Sequence, residues 1–524
     1  MKTCWTCRKR RHKCDGTLPH CEKCRINGVQ CLGYEKPLKW INGLATRGPM
    51  KDRTFNQVKP SPLTTKGYLR TEITISLYKP PETTRLPAIC WPLTEPILQN
   101  LGHDARFLID YFVRRVCPLL ALSDGARNPY QEMISLIGSS KAVANAIMAV
   151  AACHCVHGMT DYPVFSPADH MLESRTSIFQ KYPKPDLNIA ESGMLKRYIL
   201  LKQNSLRQLS EALANLQGFA EIEAFIAAVL LTLLELVESG AGSWSTHLEG
   251  AKRLLDITLH GSQHLNSPLM LESLISDVDL IDTLGSTLVP PGALTSPLHL
   301  RSRLNNARES SQVTSIGCPP ELYQAIHFIS AQRRRESQPD ESSLILLHAS
   351  VDIQALRDKL HQIRCFDLQA WASNITGANT TSAQTQHAAQ MQIALIWKLA
   401  ADIYASRIFY TLTKDTDFVM PSVSDLIKEY DFLEEDDALL KCLIWPTFMA
   451  GAESTCPEHR EWALRKFDRI WRITLSANSK NAKWVLMSLW EKQDEHKQRP
   501  ETQVVEDWDW IAELSSQESP WIFF

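Results

Sequence analysis

Six of the chain's 14 cysteines stand within its first 31 residues, as Cys4, Cys7, Cys14, Cys21, Cys24 and Cys31. They read C-x2-C-x6-C, then a six-residue gap, then C-x2-C-x6-C again, so one half-site occurs twice in tandem. Thiols this dense are tied either into disulfides or to metal. A disulfide framework requires an oxidising compartment. Met1 is followed by Lys2, Thr3 and the cluster itself, with no apolar leader. In a reducing compartment, paired C-x2-C units are metal sites more often than bridges.

The ligand count bears on stoichiometry. Zinc takes four ligands in a tetrahedron. One zinc would leave two thiols idle, whereas two zincs need eight ligand positions, which six thiolates fill if two of them bridge. The duplicated half-site favours two Zn2+, with Cys4 and Cys21, the first cysteine of each half, as the bridges by symmetry. Soft thiolates also suit Cu(I).

The two halves differ in charge. Between Cys7 and Cys14 lie Arg8, Lys9, Arg10, Arg11, His12 and Lys13; between Cys24 and Cys31 lie Arg25, Ile26, Asn27, Gly28, Val29 and Gln30. Metal binding does not require this asymmetry. A polyanion facing only the first half explains it, because Lys and Arg neutralise phosphates and release counterions. A short helix after Cys7 would fit the major groove, where Arg bonds guanine O6 and N7. The plainer reading of the basic run is a nuclear import signal or a solvated surface.

The full pattern, C-x2-C-x6-C-x6-C-x2-C-x6-C with Pro19 in the middle gap, resembles the fungal zinc binuclear cluster of transcription factors. The following stretch, CLGYEKPLKWINGLATRGPM at 31–50, is similar to the subgroup whose cluster runs into a Gly-Tyr and Leu-Lys-Trp segment. That subgroup carries a fungal-specific helical regulatory domain behind the cluster. The resemblance implies a nuclear, sequence-specific DNA-binding regulator of RNA polymerase II transcription. It places the base-reading residue four positions after the second cysteine, at Arg11 with Arg10 beside it, puts phosphate contacts at Arg8 and Lys13, and implies targets containing CGG triplets. Lys9 completes the candidate DNA-binding set.

Over the whole chain the formal charge of −2 hides a dipolar layout. Residues 1–100 hold 18 Lys and Arg against 7 Asp and Glu, while residues 101–524 hold 38 against 51. The basic end suits nucleic acid, and the acidic remainder suits protein partners. Residues 35–98 carry nine of the 28 prolines and read as a basic linker, with TEITISLY at 71–78 as a candidate short strand. No heptad repeat sits in this linker, so dimerisation through the large domain and monomeric binding both stay open.

From about residue 99 the texture becomes helical, with apolar residues at helical spacing in 106–122, 139–158, 205–216, 224–237, 242–259, 388–413, 459–475 and 481–496. The expected architecture is therefore mainly α: a small six-cysteine, two-zinc domain at 1–34, a linker, and a large all-α domain at 99–524. DYFVRRVCPLL, AGSWSTHLEGAKRLL and IGCPPELYQAIHFISAQRRR resemble segments of the subgroup's regulatory domain. The longest apolar run, 224–237, contains Glu235 and reads as a core helix, so no membrane span is expected. CHCVH at 153–157 reads as buried structure, because neighbours one and two apart on a helix diverge. TTSAQTQ at 380–386 reads as a loop. The tail, 506–524, is read as docking its aromatics on the helical domain rather than recruiting coactivators. No phosphate loop, nucleophile elbow or H-E-x-x-H is present, so no enzyme is expected. The expected partners are double-stranded DNA, a possible second copy of the chain bound through the helical domain, and transcriptional coregulators. The alternative is a zinc-stabilised interaction module that does not read sequence.

Overall fold

Residues 141–157 are almost all apolar or small, and alanine recurs among them. Such a run forms a helix that must be covered on every side. In a computed structural model of the chain this helix is Lys141–Thr160, opened by the Ser140 hydroxyl accepting from the Val143 N–H and closed by Asp161 in the left-handed conformation. The small alanines let Ile189–Leu213 and Phe219–Glu238 pack closely on it. The structure describes residues 3–17, 20–31, 34, 101–122, 128–161, 163, 189–214, 219–261, 269–290, 293–294, 314–336, 352–375, 381–415, 417–433, 438–498, 508–516 and 520–524. Among these, every regular element is a helix. The chain divides into two units, Met1–Pro80 and Pro81–Phe524. The linker at 35–98 and its candidate strand lie outside the described residues.

The second unit is built around two adjoining cores. The first is formed mainly by the helices between His103–Tyr111 and Leu269–Ser286. The second is formed mainly by those from Pro320–Glu336 to Trp510–Ser515, including Thr381–Thr413, Ile444–Ala452 and Ala477–Lys497. Leu269–Ser286 serves both: Leu274, Val278 and Ile281 face the first core, Leu280 and Leu284 the second. In the second core Trp397 stacks on Trp445 with centroids 5.2 Å apart, and Tyr404 meets the same indole edge-on.

The end of the chain stitches the two cores together. Residues 520–524 have no helical pattern, and their side chains alternate: Ile522 enters the first core, while Trp521 and Phe523 enter the second. The backbone is held on both edges. The Ile522 N–H donates to the Gly240 carbonyl at 2.9 Å, and the Asn478 amide donates to the Ile522 carbonyl at 2.7 Å. The Trp244 indole N–H donates to Pro520 O at 2.8 Å. The tail therefore docks, as its aromatics predict, although among its described residues only Trp510–Ser515 does so as a helix.

Gly240 makes this docking possible. Its φ is +74°, and a Cβ there would lie 2.7 Å from the Ile522 carbonyl oxygen. We expect Gly240→Ala to destabilise the helical domain by about 2–4 kcal/mol, combining left-handed strain with overpacking. The shift of the urea midpoint at constant slope measures it.

Three sequence expectations change. Residues 381–386 are not a loop but open the helix Thr381–Thr413; Ala383, Gln384 and Gln386 are good helix formers with no Gly or Pro to stop them. The helix expected over 106–122 keeps α geometry only to Tyr111, then widens through Phe112–Val116 and tightens through Cys117–Leu119, where Pro118 cannot continue the pattern. Among the described residues, Lys141–Thr160, not 224–237, is the segment long and apolar enough to cross a bilayer by length and composition, and 78% of that window is buried inside the protein.

Several buried charged and polar groups of the helical unit pair with one another. Glu235 and Glu238 share Lys202, with Nζ–O distances of 2.8 and 2.5 Å, and Tyr198 donates to Glu238. In CHCVH, His157 Nδ1 donates to Leu475 O at 2.8 Å, and the Tyr111 hydroxyl lies 2.9 Å from His154 Nδ1. Burial pushes His154 down to about 3 and His157 down to about 4. Both are neutral core histidines.

Candidate metal centre and nucleic-acid interface

The cluster unit is two copies of one local device. In each half the first cysteine caps a short helix. Cys4 precedes α1 (Trp5–Arg10), and its Sγ accepts the Cys7 N–H at 3.3 Å. Cys21 precedes α2 (Glu22–Ile26), and its Sγ accepts the Cys24 N–H at 3.4 Å. A sulfur at a helix start meets unpaired N–H donors and the positive end of the dipole, which favours its thiolate. The spacing C-x2-C then brings the second sulfur back beside the first after one turn.

The six sulfurs converge. Cys4, Cys7, Cys14 and Cys21 form one group, and Cys4, Cys21, Cys24 and Cys31 a second; within each, all sulfurs lie within 4.8 Å of one another. The two groups share Cys4 and Cys21, the pair that the symmetry of the spacing singles out. Sulfur separations within the groups are 3.5 Å for Cys4–Cys21, 3.7 Å for Cys7–Cys21 and 3.9 Å for Cys4–Cys24. A disulfide is about 2.05 Å long, so none is formed here. A zinc tetrahedron with Zn–S near 2.3 Å has edges of about 3.8 Å, which the separations match. Burial pushes the Cys4 thiol up to about 12 and Cys21 further still, whereas the Cys4 N–H, donated to Cys14 Sγ, pulls Cys14 down to about 7. Metal binding at such a donor set releases the thiol protons.

Residues that spacing did not mark hold the two halves together. The Asp15 carboxylate, from the first half, accepts from the backbone N–H groups of Glu22 at 2.8 Å and Lys23 at 3.3 Å, so it caps α2. The Thr17 hydroxyl also donates to it, at 2.5 Å. Led by that bond, these contacts hold the Asp15 carboxyl down at about 2. The Thr6 hydroxyl crosses to Gln30 O at 2.9 Å. Tyr34 donates to Thr17 O at 2.7 Å and lies 4.0 Å from Cys14 Sγ. Apart from Thr17 to Asp15, these contacts join residues at least 7 apart along the chain and leave no local signature.

The basic residues lie on the first half. Arg8, Lys9, Arg10, Arg11 and Lys13 are all exposed. Arg11 ends α1 with φ 57°, in the left-handed region. The corresponding residue of the second half, four after Cys24, is Gly28 with φ 60°. The closing bonds correspond as well: His12 N to Cys7 O and Val29 N to Cys24 O, each 3.0 Å. This turn favours glycine, and the first half places an arginine there at a cost of about 1–2 kcal/mol.

Comparison with known proteins agrees with this geometry. The fungal Zn(2)-Cys(6) binuclear cluster domain matches residues 2–41, and the fungal specific transcription factor domain matches residues 106–523. Acriflavine sensitivity control protein acr-2 of Neurospora crassa is 24% identical over an alignment of 554 residues, covering 90% of this chain and 88% of its own length. The phomenoic acid biosynthesis cluster-specific transcriptional regulator of Leptosphaeria maculans is 24% identical over 264 residues, 48% of this chain and 41% of its own. Arginine metabolism regulation protein II of Saccharomyces cerevisiae is 49% identical over 37 residues, 7% of this chain and 4% of its own. No solved structure matches the chain. Domains of the cluster type bind zinc and DNA, and the family consists of transcription factors, not enzymes. With six sulfurs arranged for metal at one end and a family match over most of the remaining length, the chain belongs to the fungal zinc-cluster transcription factors that carry a fungal-specific helical domain.

Proposed function

We propose that this protein is a nuclear regulator of RNA polymerase II transcription that reads CGG-type triplets through a cluster of two zinc ions at residues 1–34. Cys4, Cys7, Cys14 and Cys21 would hold one zinc, and Cys4, Cys21, Cys24 and Cys31 the other. Six sulfurs then fill all eight positions, so the zincs are structural. Residues 35–98 tether the cluster to the helical domain of residues 99–524, which holds coregulators. Arg11 reads the base, with Arg10 beside it. Arg8, Lys9 and Lys13 contact phosphates.

The observation that carries the assignment is Arg11 in a turn where the equivalent half uses Gly28. Backbone strain at an exposed charged residue is retained where the side chain is needed. Selection of binding sites from random duplex DNA by the full-length chain, with and without a zinc chelator, tests it. Enrichment of CGG triplets that vanishes on chelation supports the reading; no enrichment under any zinc condition overturns it in favour of an interaction module.

Two variants separate the roles. Arg11→Gly relieves the turn, so the cluster should retain zinc at least as well as the wild type. It should nevertheless lose about 1–3 kcal/mol of discrimination at one base pair. Arg8→Ala should weaken binding to all duplexes and reduce the slope of log K against log salt by about 0.9. Undiminished base preference in Arg11→Gly would remove Arg11 as the reader.

A further inference from the structure

The duplication places corresponding residues in corresponding surroundings, and at one pair they differ in kind. Trp5 and Arg8 stand one and four residues after Cys4; Glu22 and Arg25 stand one and four after Cys21. Both arginines are exposed. In the first half the Arg8 guanidinium lies over the Trp5 ring, 5.0 Å from its centroid. A ring face uses none of the in-plane N–H donors, so these stay open to a phosphate or a base edge. In the second half Arg25 turns back on Glu22. Its Nε lies 3.0 Å from each carboxylate oxygen, and Nη2 joins Oε1.

With side chains 75% and 46% exposed, this pair adds little to stability. Its consequence is charge. Residues 5–13 carry five Lys and Arg with no acid, while residues 22–30 carry Lys23 and Arg25 against Glu22. The two halves repeat the same cysteine cap and the same closing bond, so either half has a backbone turn that could approach a duplex. Only the first half has a side chain at the reading turn, since the second has Gly28 there. Docking through the second half would therefore be blind to sequence.

We propose that Glu22 neutralises Arg25 and thereby confines nucleic-acid contact to the first half, which makes Glu22 a determinant of specificity that touches no base. The inference rests on the DNA-reading function proposed above. Asp15 holds the backbone N–H of Glu22, so replacing the side chain leaves the α2 cap in place.

The test uses the full-length chain and the anisotropy of two labelled duplexes, one carrying the selected site and one scrambled, across a salt series. Glu22→Gln should steepen the salt slope by about 0.9, the value of one added phosphate contact. It should tighten binding to the scrambled duplex several-fold more than binding to the selected one. Arg25→Gln alone should leave the slope unchanged, and Glu22→Gln/Arg25→Gln should restore the wild-type slope. An unchanged slope in Glu22→Gln at wild-type zinc content overturns the proposal, as does a flattened slope in Arg25→Gln alone. The second arm still decides the matter if Glu22→Gln fails to hold zinc. A wild-type chain that binds no duplex selectively brings down the DNA-reading function itself. Selective wild-type binding with an unresponsive Glu22→Gln brings down only the role of Glu22.

Discussion

Cys21→Ala should abolish zinc binding and site-specific DNA binding together, whereas Cys31→Ala should leave roughly half the zinc in place. The difference follows from the sulfur groups: Cys21 belongs to both, and Cys31 to only one. Removing Cys31 spares Cys4, Cys7, Cys14 and Cys21, still a complete tetrahedral set. Removing Cys21 leaves three sulfurs at each position and also removes the Sγ that accepts the Cys24 N–H at the start of α2. Structural zinc contributes apparent free energies of about 10–16 kcal/mol, which exceeds what a small unit without a core supplies by packing. The unit around Cys21→Ala should therefore unfold, and its affinity for the selected site should fall by about 1,000-fold, to the non-specific level. Zinc per chain by atomic absorption, read with duplex binding on full-length protein, checks both variants. Equal zinc loss from the two would refute the shared-sulfur topology.

Deleting residues 520–524 should destabilise the helical domain by on the order of 5 kcal/mol, since burying a large apolar side chain contributes about 1.5–3 kcal/mol. Trp521, Ile522 and Phe523 are at most 2% exposed, and Phe523 packs on Phe448 with centroids 4.3 Å apart. The deletion also strips partners from Gly240 O, from the Trp244 indole N–H and from both ends of the Asn478 amide. Buried polar groups left without partners add to the cost. Because the tail touches both cores, the loss should appear as one cooperative transition at a lower urea midpoint. An unshifted midpoint would mean that the tail is an appendage to the fold, with its aromatics free for another task.

The cysteine cluster was legible in the sequence because metal valence and a tandem repeat of ligand spacing act over short range. Four ligands per zinc and two C-x2-C-x6-C units suffice to single out Cys4 and Cys21 as the pair that the two sulfur groups share. The excess of basic residues in the first half is likewise a matter of composition. The core helices announced themselves by apolar spacing, and CHCVH by the divergence of adjacent helical positions. The helix start at Thr381 was missed because polar residues of good helix propensity look the same in a loop. The change of pitch after Tyr111 was missed because periodicity does not register a widened or tightened turn.

What the sequence by itself determined is therefore the six-cysteine cluster, the charged half and the helical class, each encoded in residues a few positions apart. The tertiary structure alone decided which partner each side chain meets across the chain. It placed Asp15 on the start of α2 and the residues after Pro520 between two cores, with Ile522 turned one way and Trp521 and Phe523 the other. The pairing of Arg25 with Glu22 is local, but its meaning comes from the comparison with Arg8 that the duplicated fold makes possible. Contacts between distant segments depend on how whole helices and halves pack, and no window of sequence carries that information.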